Sequence, residues 1–430
     1  MQVWLQGESE AMKLRVVDLF CGGGGTSSGL AKACHKLGLP VDLVAINHWD
    51  VAIKTHKANH PWATHINAPI ESLDPTKVVP GGKLDLLVAS PECTHHSSAL
   101  GGKPRSDQKR ASPWHIMPWL SRLYVKAVLI ENVPEFEHWG PLGQNGLPLK
   151  KYRGQTFKAF IHAIQSHGYT VSYRVLNAAN HGDATSRRRL FILARRKQGL
   201  IKWPEPSHSK TGRKGTKPWR TAREVIDWSL EGESIFSRKR PLADATMKRI
   251  CLGLEKFGGP ELQPFLVVLR GTSSSQLAAS AKSVDEPVPG ITANGNHIGI
   301  CNPFVLGQQS GGTPRSVEDP LPTIAACGAI SLIEPCLVEY YGNGMAKSVD
   351  DPMPVVTTRD HLALMQPMLD GCRLDIKFRM LQPHELSAAM GFNDSYEFSG
   401  TRREIVRQIG NAVAVNMAEA LCDSLLRSDR

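Results

Sequence analysis

Short apolar runs alternate with amphipathic stretches over roughly the first 200 residues of this 430-residue chain. The apolar runs are rich in β-branched residues and predict strands at Leu14–Phe20, Val41–Asn47, Leu84–Ala89, Val125–Glu131, Val171–Leu176 and Leu190–Ala194. Helical spacing of apolar residues between them predicts helices at Thr26–Leu37, Val51–Asn59 and Thr156–His167. We expect an α/β fold with a doubly wound sheet, because strands alternate with helices. Such sheets bind ligands at the carboxyl ends of their strands.

The pattern changes after residue 197. Residues 198–225 carry seven Lys or Arg among Gly, Ser, Pro and Thr, which is typical either of a solvated linker or of a loop that contacts phosphates. Helical spacing returns only near the end, at Phe378–Met390 and Thr401–Leu426. We therefore divide the chain into residues 1–197, 198–370 and 371–430.

An internal repeat lies in the middle segment. Its three copies are Lys282-Ser-Val-Asp-Glu-Pro-Val-Pro, Arg315-Ser-Val-Glu-Asp-Pro-Leu-Pro and Lys347-Ser-Val-Asp-Asp-Pro-Met-Pro. Their serines are 33 and 32 positions apart, and each copy follows an apolar run that begins with Pro. A fixed period indicates one supersecondary unit used three times, and β-branched residues, Gly and Pro favour strands and turns.

Composition adds a partner and a compartment to this picture. The 51 Lys and Arg outnumber the 40 Asp and Glu, and a net charge of +11 fits a polyanionic partner. The nine cysteines are scattered and form no Cys-x-x-Cys pair, so we expect free thiols in a reducing cytoplasm and no structural zinc or other metal. The first 13 residues lack the apolar core of a signal peptide, and no apolar run approaches membrane-spanning length, so we expect no membrane association.

Three predicted strands end in residues that can carry chemistry. After the first strand comes a run of glycines, Gly22–Gly25, which suits close backbone approach to a ligand or simply a tight turn. Cys93 follows the third predicted strand and is either a nucleophile or an inert thiol. Glu131 ends the fourth, as a functional or a structural carboxylate. In a parallel sheet these groups would share one edge.

With these motifs in this order, the chain resembles the DNA (cytosine-5)-methyltransferase family of bacteria and phages over nearly its whole length. The matching segments are Asp18-Leu-Phe-Cys-Gly-Gly-Gly-Gly, Pro91-Glu-Cys93, Glu131-Asn-Val, Arg187-Arg-Arg189-Leu-Phe-Ile and Gln408-Ile-Gly-Asn-Ala-Val. The resemblance implies a Rossmann-like, S-adenosylmethionine-dependent methyltransferase domain. It also implies an inserted, mostly β target-recognition domain, which we place at residues 198–370.

The resemblance implies a role for each site residue. Cys93 would attack C6 of a flipped-out cytosine, Glu131 would bind its N3 and amino group, and Arg187 and Arg189 would hold its O2 and the nucleophile loop. Phe20 and Trp49 would pack on the cofactor adenine. The full set expected to contact S-adenosylmethionine is Asp18, Phe20, Gly22, Gly24, His48, Trp49 and Asn411. The cations expected to contact DNA phosphates are Lys103, Arg105, Lys214 and Lys217, with Lys109 and Arg110 in the same loop as the first two.

The chain also departs from the family's pattern. Glu92 stands where the family has Pro before the cysteine, and a carboxylate there tends to raise the thiol pKa. His48 replaces the carboxylate that binds the cofactor ribose, and Thr185 replaces a Gln. None of these departures alters Cys93, Glu131 or Arg187.

The resemblance carries expectations about partners as well. We expect double-stranded DNA as the substrate, a monomer, a bacterial or phage origin, and either a cognate restriction endonuclease or a solitary modifying role. Two other hypotheses are methylation of RNA, as in the transfer-RNA branch of the family, and an inactive DNA-binding homologue. The long recognition segment opposes the first, and the intact cysteine, carboxylate and arginines oppose the second.

Overall fold

The computed structural model describes residues 13–92, 106–196, 201–213, 215–257, 264–270, 273–293, 297–306, 336–339, 346–348, 362–365 and 373–427. The chain forms two compact units. The first comprises Met1–Val225, Gly290–Gly295 and Pro383–Arg430, and the second comprises Ile226–Pro289 and Asn296–Gln382.

These boundaries differ from the predicted segments 1–197, 198–370 and 371–430. Residues 198–225 belong to the first unit because two tryptophans fasten them to it: Trp203 Nε1 donates to Ser172 Oγ at 3.0 Å, and Trp219 Nε1 donates to Asn180 Oδ1 at 3.0 Å. At the other end, residues up to 382 belong to the second unit because they continue its sheet.

A seven-stranded sheet organises the first unit. Its strands are β1 (Leu14–Leu19), β2 (Val41–Asn47), β3 (Thr64–Asn67), β4 (Lys83–Ala89), β5 (Tyr124–Asn132), β6 (Tyr169–Asn177) and β7 (Arg188–Arg196), in the order β3-β2-β1-β4-β5-β7-β6. β1 to β5 pair in parallel, and β7 is antiparallel to both neighbours. The strand order reverses between β1 and β4, so the predicted doubly wound fold is confirmed.

The central strands are buried on both faces. Val16 and Val17 point to opposite sides of β1, and both are almost fully buried, as are Leu86 and Leu87 in β4. One face packs against an aromatic cluster that includes Trp119, Phe136 and Phe160. Neighbouring apolar residues therefore mark these strands, because at these positions neither side of the pleat faces water.

Helices in the first unit are α1 (Gly25–Leu37), α2 (Asp50–Asn59), α3 (Pro75–Val78), α4 (Asp107–Arg110), α5 (Met117–Arg122), α6 (Gln155–Ser166), α9 (Pro383–Ala389), α10 (Arg402–Asn411) and α11 (Val415–Arg427), with α7 (Asp244–Phe257) and α8 (Ser274–Ala278) in the second unit. Single 3-10 turns occur at Ile70–Ser72, Ser112–Ile116, Pro134–His138, Lys150–Tyr152, Ala178–His181 and Ala222–Glu224.

The last helix of the chain packs on the first. A Cβ added at Gly29 of α1 would lie 2.5 Å from Ala418 Cβ of α11, so only glycine allows this close approach. The predicted helix at Thr401–Leu426 is thus two helices, separated where Ala412 turns to an extended conformation (φ −64°, ψ 149°). The C-terminal segment thereby returns to the glycine turn that precedes α1.

The second unit is mostly β. Its strands are β10 (Glu233–Ser234), β11 (Phe265–Val268), β12 (Ala281–Ser283), β13 (Ile298–Leu306), β14 (Cys336–Glu339), β15 (Ala346–Ser348), β16 (Leu362–Met365) and β17 (Arg373–Met380); the short strands β8 (His208–Ser209) and β9 (Lys217–Pro218) lie in the first unit. The sheets run β10-β17-β13-β11-β12 and β15-β14-β16. The prediction of a helix from Phe378 was wrong at its start, because residues up to Met380 are strand β17.

Two copies of the repeat fold in the same register. In the first, Leu266 pairs with Lys282 and Phe265 with Ser283; in the third, Leu337 pairs with Lys347 and Cys336 with Ser348. In each copy the apolar strand then pairs on its other side with a further antiparallel strand, β13 or β16. Arg315 of the second copy lies outside the described residues.

Candidate active site

The carboxyl ends of β1, β4 and β5 lie side by side. Leu19 pairs with Ala89, and Ala89 pairs with Ile130, the residue before Glu131. The glycine turn, the start of the Cys93 loop and Glu131 therefore leave the same edge of the sheet, at the point where the strand order reverses. This is where open α/β sheets bind their ligands.

The glycine turn has a conformation that few sequences could adopt. Phe20 is the one non-glycine residue with positive φ (61°) among the described residues, and Gly22 and Gly24 also have positive φ. A non-glycine residue with positive φ has a strained backbone, and such residues are found often at ligand-binding sites. The half-buried Phe20 ring packs against the core at the mouth of the turn.

The turn fits a small ligand. A Cβ built on Gly22 would meet only Phe20 O, at 3.9 Å, so this side of the turn borders open space. Among the described residues, the amide groups of Gly22 and Gly23 have no hydrogen-bond partner in the protein. Open space beside unpartnered N–H donors is a cradle for the polar end of a cofactor.

Beneath the turn lies the carboxyl group of Asp18. Its Oδ2 accepts a hydrogen bond from Ser27 Oγ at 2.7 Å, and its Oδ1 is buried without a partner among the described atoms. Burial raises the pKa of Asp18 to about 7, with the Ser27 hydrogen bond acting in the opposite direction. Near neutral pH this group is therefore poised between its two protonation states.

The end of β2 supplies the next predicted cofactor residues. His48 is exposed, and Trp49 is half-buried with its backbone N–H bonded to Asn47 Oδ1 at 2.9 Å. The Arg407 guanidinium lies 4.6 Å from the centre of the Trp49 ring, a cation–π contact that fixes the indole. Asn411 is exposed at the end of α10.

An ion pair occupies the end of β5. Arg189 Nε lies 3.0 Å from Glu131 Oε1, and Glu131 is only 7% exposed. Burial raises the pKa of Glu131, and the charges of Arg189 and Arg187 partly oppose this shift. The structure thus brings together three of the predicted catalytic residues.

Arg187 makes contacts that the sequence did not indicate. Its side chain is 2% exposed, and it donates from Nη1 to Ile291 O at 2.6 Å and from Nη2 to Gly410 O at 2.9 Å. It therefore joins two distant chain segments of the first unit, beside the Glu131 carboxylate that its charge influences.

The loop that leads to Cys93 is fixed at its start. Ser90 N donates to Leu19 O at 3.1 Å, and Asn132 Nδ2 donates to Pro91 O at 3.3 Å. Pro91 is buried and Glu92 is exposed. Cys93 itself lies outside the described residues. Since Glu92 faces water, its charge near the thiol is screened by solvent.

The predicted DNA-contacting cations are partly described. Lys217 is exposed in β9, and Lys103, Arg105 and Lys214 lie outside the described residues. Arg110 is 1% exposed and forms an ion pair with Asp107 (Nη1 to Oδ1, 3.1 Å). The suggestion that Arg110 contacts phosphate is therefore not supported, because the side chain is packed inside the protein.

Comparison with known proteins places this geometry in a family. The sequence model of the family described as C-5 cytosine-specific DNA methylase matches residues 14–246 and 361–427, which is more than half of the chain. The chain belongs to this family. Both the glycine turn and the Glu131–Arg189 pair lie within the matched ranges.

Members of the family with Type II names are similar to this chain. M.AgeI of Thalassovita gelatinovora is 30% identical over 208 residues, which are 47% of this chain and 44% of that protein. M.AquIA of Picosynechococcus is 25% identical over 228 residues, which are 50% of this chain and 88% of that protein. The alignment thus spans less than half the length of M.AgeI. Among solved structures, Entamoeba histolytica methyltransferase EhMeth matches the fold with a TM-score of 0.53 at 12% identity, covering 97% of this chain and 99% of that one.

Sequence reasoning missed two residues that shape this candidate site and a third that fixes the start of α11. Asn132 anchors Pro91, Tyr396 contacts the glycine turn, and Asp183 accepts from the backbone of Asn416 and Met417. Asn132 could have been found, because it extends a matched motif at a strand end. Nothing in the local sequence marks Tyr396 or Asp183, since their partners are backbone groups far along the chain.

Two kinds of feature are absent from the described residues. No helix there is both long and apolar enough to cross a membrane. Within the same ranges, no group of three or more His, Cys, Asp or Glu side chains has the geometry to hold a metal ion.

Proposed function

We propose that this protein transfers a methyl group from S-adenosylmethionine to C5 of a cytosine in double-stranded DNA. The observation that carries this proposal is the buried Glu131–Arg189 ion pair, at the strand end next to the one that leads to Cys93. A buried carboxyl group held by a guanidinium is suited to recognising one face of a nucleobase.

Glu131 would bind the base and stabilise the charge that develops on it. Burial raises the pKa of Glu131, so its carboxyl group takes up a proton more readily and would share it with N3 of the cytosine as charge develops on the base. Its second oxygen would accept from the base amino group, while Arg189 fixes the orientation of the carboxyl. The charge that develops on the base then meets side chains that already have the right orientation, so the site needs little reorganisation during the reaction.

Cys93 would act as the nucleophile. Its sulfur forms a bond to C6, and the electron pair of the C5–C6 double bond moves onto C5. Bound S-adenosylmethionine would supply the electrophilic methyl group that C5 accepts, with S-adenosylhomocysteine as the leaving group. A base then removes the C5 proton, the electron pair restores the double bond, and the bond between sulfur and C6 breaks. The cytosine must leave the stack for this attack, since C6 is inaccessible in a duplex.

Residues of the glycine turn and of the β2 end would hold the cofactor. The unpartnered amides of Gly22 and Gly23 suit its polar end, and Phe20 and Trp49 suit its adenine. Asp18, Gly24, His48 and Asn411 complete this proposed set.

We further infer that the second unit selects the DNA sequence and that Lys214 and Lys217, which belong to the first unit, contact phosphates. The Type II names of the relatives support a cognate restriction endonuclease as a partner. We infer a monomer that acts in the cytoplasm of a bacterial or phage-infected cell.

The test follows labelled methyl groups into nucleic acid. Wild-type protein given methyl-labelled S-adenosylmethionine should label double-stranded DNA and not RNA, and DNA with 5-fluorocytosine at the target should form an adduct that survives denaturation, because fluorine cannot leave as a proton. Cys93→Ala should abolish both labelling and adduct, while the control Cys251→Ser retains them. Label in RNA alone would favour the transfer-RNA branch, and no transfer with intact DNA binding would favour an inactive homologue.

A further inference from the structure

Tyr396 contacts the glycine turn at Gly23 and Gly24. The residue lies in the connection between α9 and α10, and its hydroxyl donates a hydrogen bond to Gly23 O at 2.6 Å. A Cβ built on Gly24 would lie 2.4 Å from this hydroxyl, so the contact requires glycine at that position. Gly24 also has a φ of 89°, which glycine adopts without strain.

The contact fixes a peptide plane of the turn. Gly23 O accepts from Tyr396, and the N–H of the same peptide, on Gly24, donates to Cys21 O at 3.0 Å. Both ends of the peptide between Gly23 and Gly24 are therefore bonded. The neighbouring amides of Gly22 and Gly23 are those without a protein partner in the described chain.

We propose that Tyr396 is a positioning residue for cofactor binding: its hydroxyl holds the Gly23 carbonyl so that the amides of the turn are preorganised for S-adenosylmethionine. This inference rests on the proposed function, and it concerns the same site. Preorganisation raises affinity because a ligand then spends little binding energy on ordering the turn.

The hydroxyl remains a donor under all ordinary conditions. Burial raises the pKa of Tyr396, so the phenol keeps its proton. His60 Nε2 lies 3.4 Å from the Tyr396 hydroxyl and 3.2 Å from Ser28 Oγ. Burial lowers the pKa of His60 to about 4, so this neighbour is neutral near pH 7.

The ring is held by contacts that do not involve the hydroxyl. Asn59 of α2 bonds both the N–H and the carbonyl of Glu397, at 2.9 and 2.7 Å, and Ser399 N donates to Thr55 Oγ1 at 2.9 Å. The Tyr396 ring also lies 4.5 Å from that of Phe392. Changing Tyr396 to Phe should therefore remove the short hydrogen bond to Gly23 O, together with the longer contact to His60 Nε2, and leave the segment in place.

A matched control is available in the same unit. The Tyr169 hydroxyl also donates to a backbone carbonyl, Val125 O, at 3.0 Å, but it lies at the start of β6, away from the turn. Tyr396→Phe and Tyr169→Phe thus delete the same kind of bond. They should lower the melting temperature of the full-length protein by similar amounts.

The experiment measures binding of S-adenosylhomocysteine by titration calorimetry, and KM and kcat in parallel. Tyr396→Phe should weaken binding by about three- to tenfold, as expected for one buried hydrogen bond. It should raise KM for S-adenosylmethionine by a similar factor and leave kcat and KM for DNA nearly unchanged. Tyr169→Phe should bind like the wild type.

Two outcomes would overturn the inference. One is wild-type affinity in Tyr396→Phe; the other is equal weakening in Tyr169→Phe, which would mean a general effect of stability. Failure of the proposed function would look different, because wild-type protein would then bind no S-adenosylhomocysteine or would bind it without transferring methyl groups to DNA.

Discussion

Asp18 combines a structural and a titrating role in one side chain. Its carboxyl group is fully buried, with one oxygen bonded to Ser27 and the other without a partner among the described atoms. An ionised carboxylate in this position lacks the solvation that water would provide. The fold therefore favours the protonated form, with a pKa of about 7 against an ordinary value of 3.8.

Asp18→Asn should remove part of the pH dependence of stability. Because the folded pKa lies above the unfolded one, the wild type binds more protons when folded between about pH 4 and 7. Its stability should fall as pH rises through this window, by on the order of 2 to 4 kcal/mol. The amide side chain of the variant carries no charge, so the variant should be more stable than wild type at pH 8.

Denaturant unfolding at pH 5 and pH 8 checks this expectation. Asp42→Asn is the control, because Asp42 is exposed in β2 and its side chain makes no hydrogen bond to any described residue. If the stability of Asp18→Asn falls between pH 5 and pH 8 as much as that of the wild type, another group is responsible for the pH dependence.

Among the elements, α11 depends on a residue from elsewhere in the chain for its start. The residues before it, Ala412 to Ala414, include no side chain that could cap a helix. Asp183, in the connection between β6 and β7, accepts from Asn416 N at 3.1 Å and Met417 N at 3.0 Å. Burial raises the pKa of Asp183 to about 7, with the hydrogen bonds from Asn416 N and Met417 N acting in the opposite direction.

Asp183→Asn should weaken the docking of α11 by about 1 to 2 kcal/mol, because the amide has one acceptor oxygen where the carboxyl group has two, one for each backbone N–H. Hydrogen exchange of the peptide covering Val415–Arg427 should accelerate accordingly. Asp74→Asn serves as the comparison: Asp74 caps the four-residue α3 at the surface, so its loss should leave exchange in α11 unchanged. If hydrogen exchange of this peptide is unchanged in Asp183→Asn, Asp183 does not stabilise the start of α11.

Elements buried on both faces were predictable, and those with mixed environments were less so. β1, β2 and β4 match the predicted ranges to within one residue because most of their residues are apolar. β3 was missed, since its four residues Thr64–Asn67 are polar or half-buried at the edge of the sheet. In β17, Ile376 and Phe378 are buried and alternate with charged residues, a strand pattern for which a helix was predicted from Phe378 onward.

In the candidate site, too, the residues next to apolar strands were the predictable ones. Glu131 and the glycine turn were found because each ends an apolar strand. The contacts of Arg187 with Ile291 O and Gly410 O could not be foreseen, since they join segments more than 100 residues apart through backbone atoms of any sequence. Placement of Cys93, Lys103, Arg105 and Lys214 stays a prediction.

At the scale of the whole molecule, the two units define which residues should be exchanged with a relative in a chimera that tests sequence specificity. The predicted recognition segment began at residue 198, but the compact unit begins at Ile226 and ends at Gln382, and it excludes Gly290–Gly295. Those six residues fold with the first unit, where Ile291 O accepts from Arg187. A graft should therefore leave them unchanged.

Replacing Ile226–Pro289 and Asn296–Gln382 with the equivalent parts of a relative should change the methylated site to that of the donor. The complementary variant, with Lys214 and Lys217 changed to Ala, should keep the original site. It should flatten the salt dependence of DNA binding by roughly 0.9 per lost phosphate contact. Bisulfite sequencing of methylated DNA identifies the methylated site for both variants. An active chimera that still methylates the original site would refute the recognition proposal.

The packing of α11 against α1 and its capping by Asp183 also affect how the protein folds during its synthesis. Helices near opposite ends of the chain complete one unit, so this unit cannot close while the ribosome is still translating the middle of the message. A nascent or prematurely terminated chain would carry the glycine turn and Glu131 without the helix that supports the turn. Binding at the glycine turn should therefore require that α11 has already been translated, and chains that stop before α11 should not bind the cofactor.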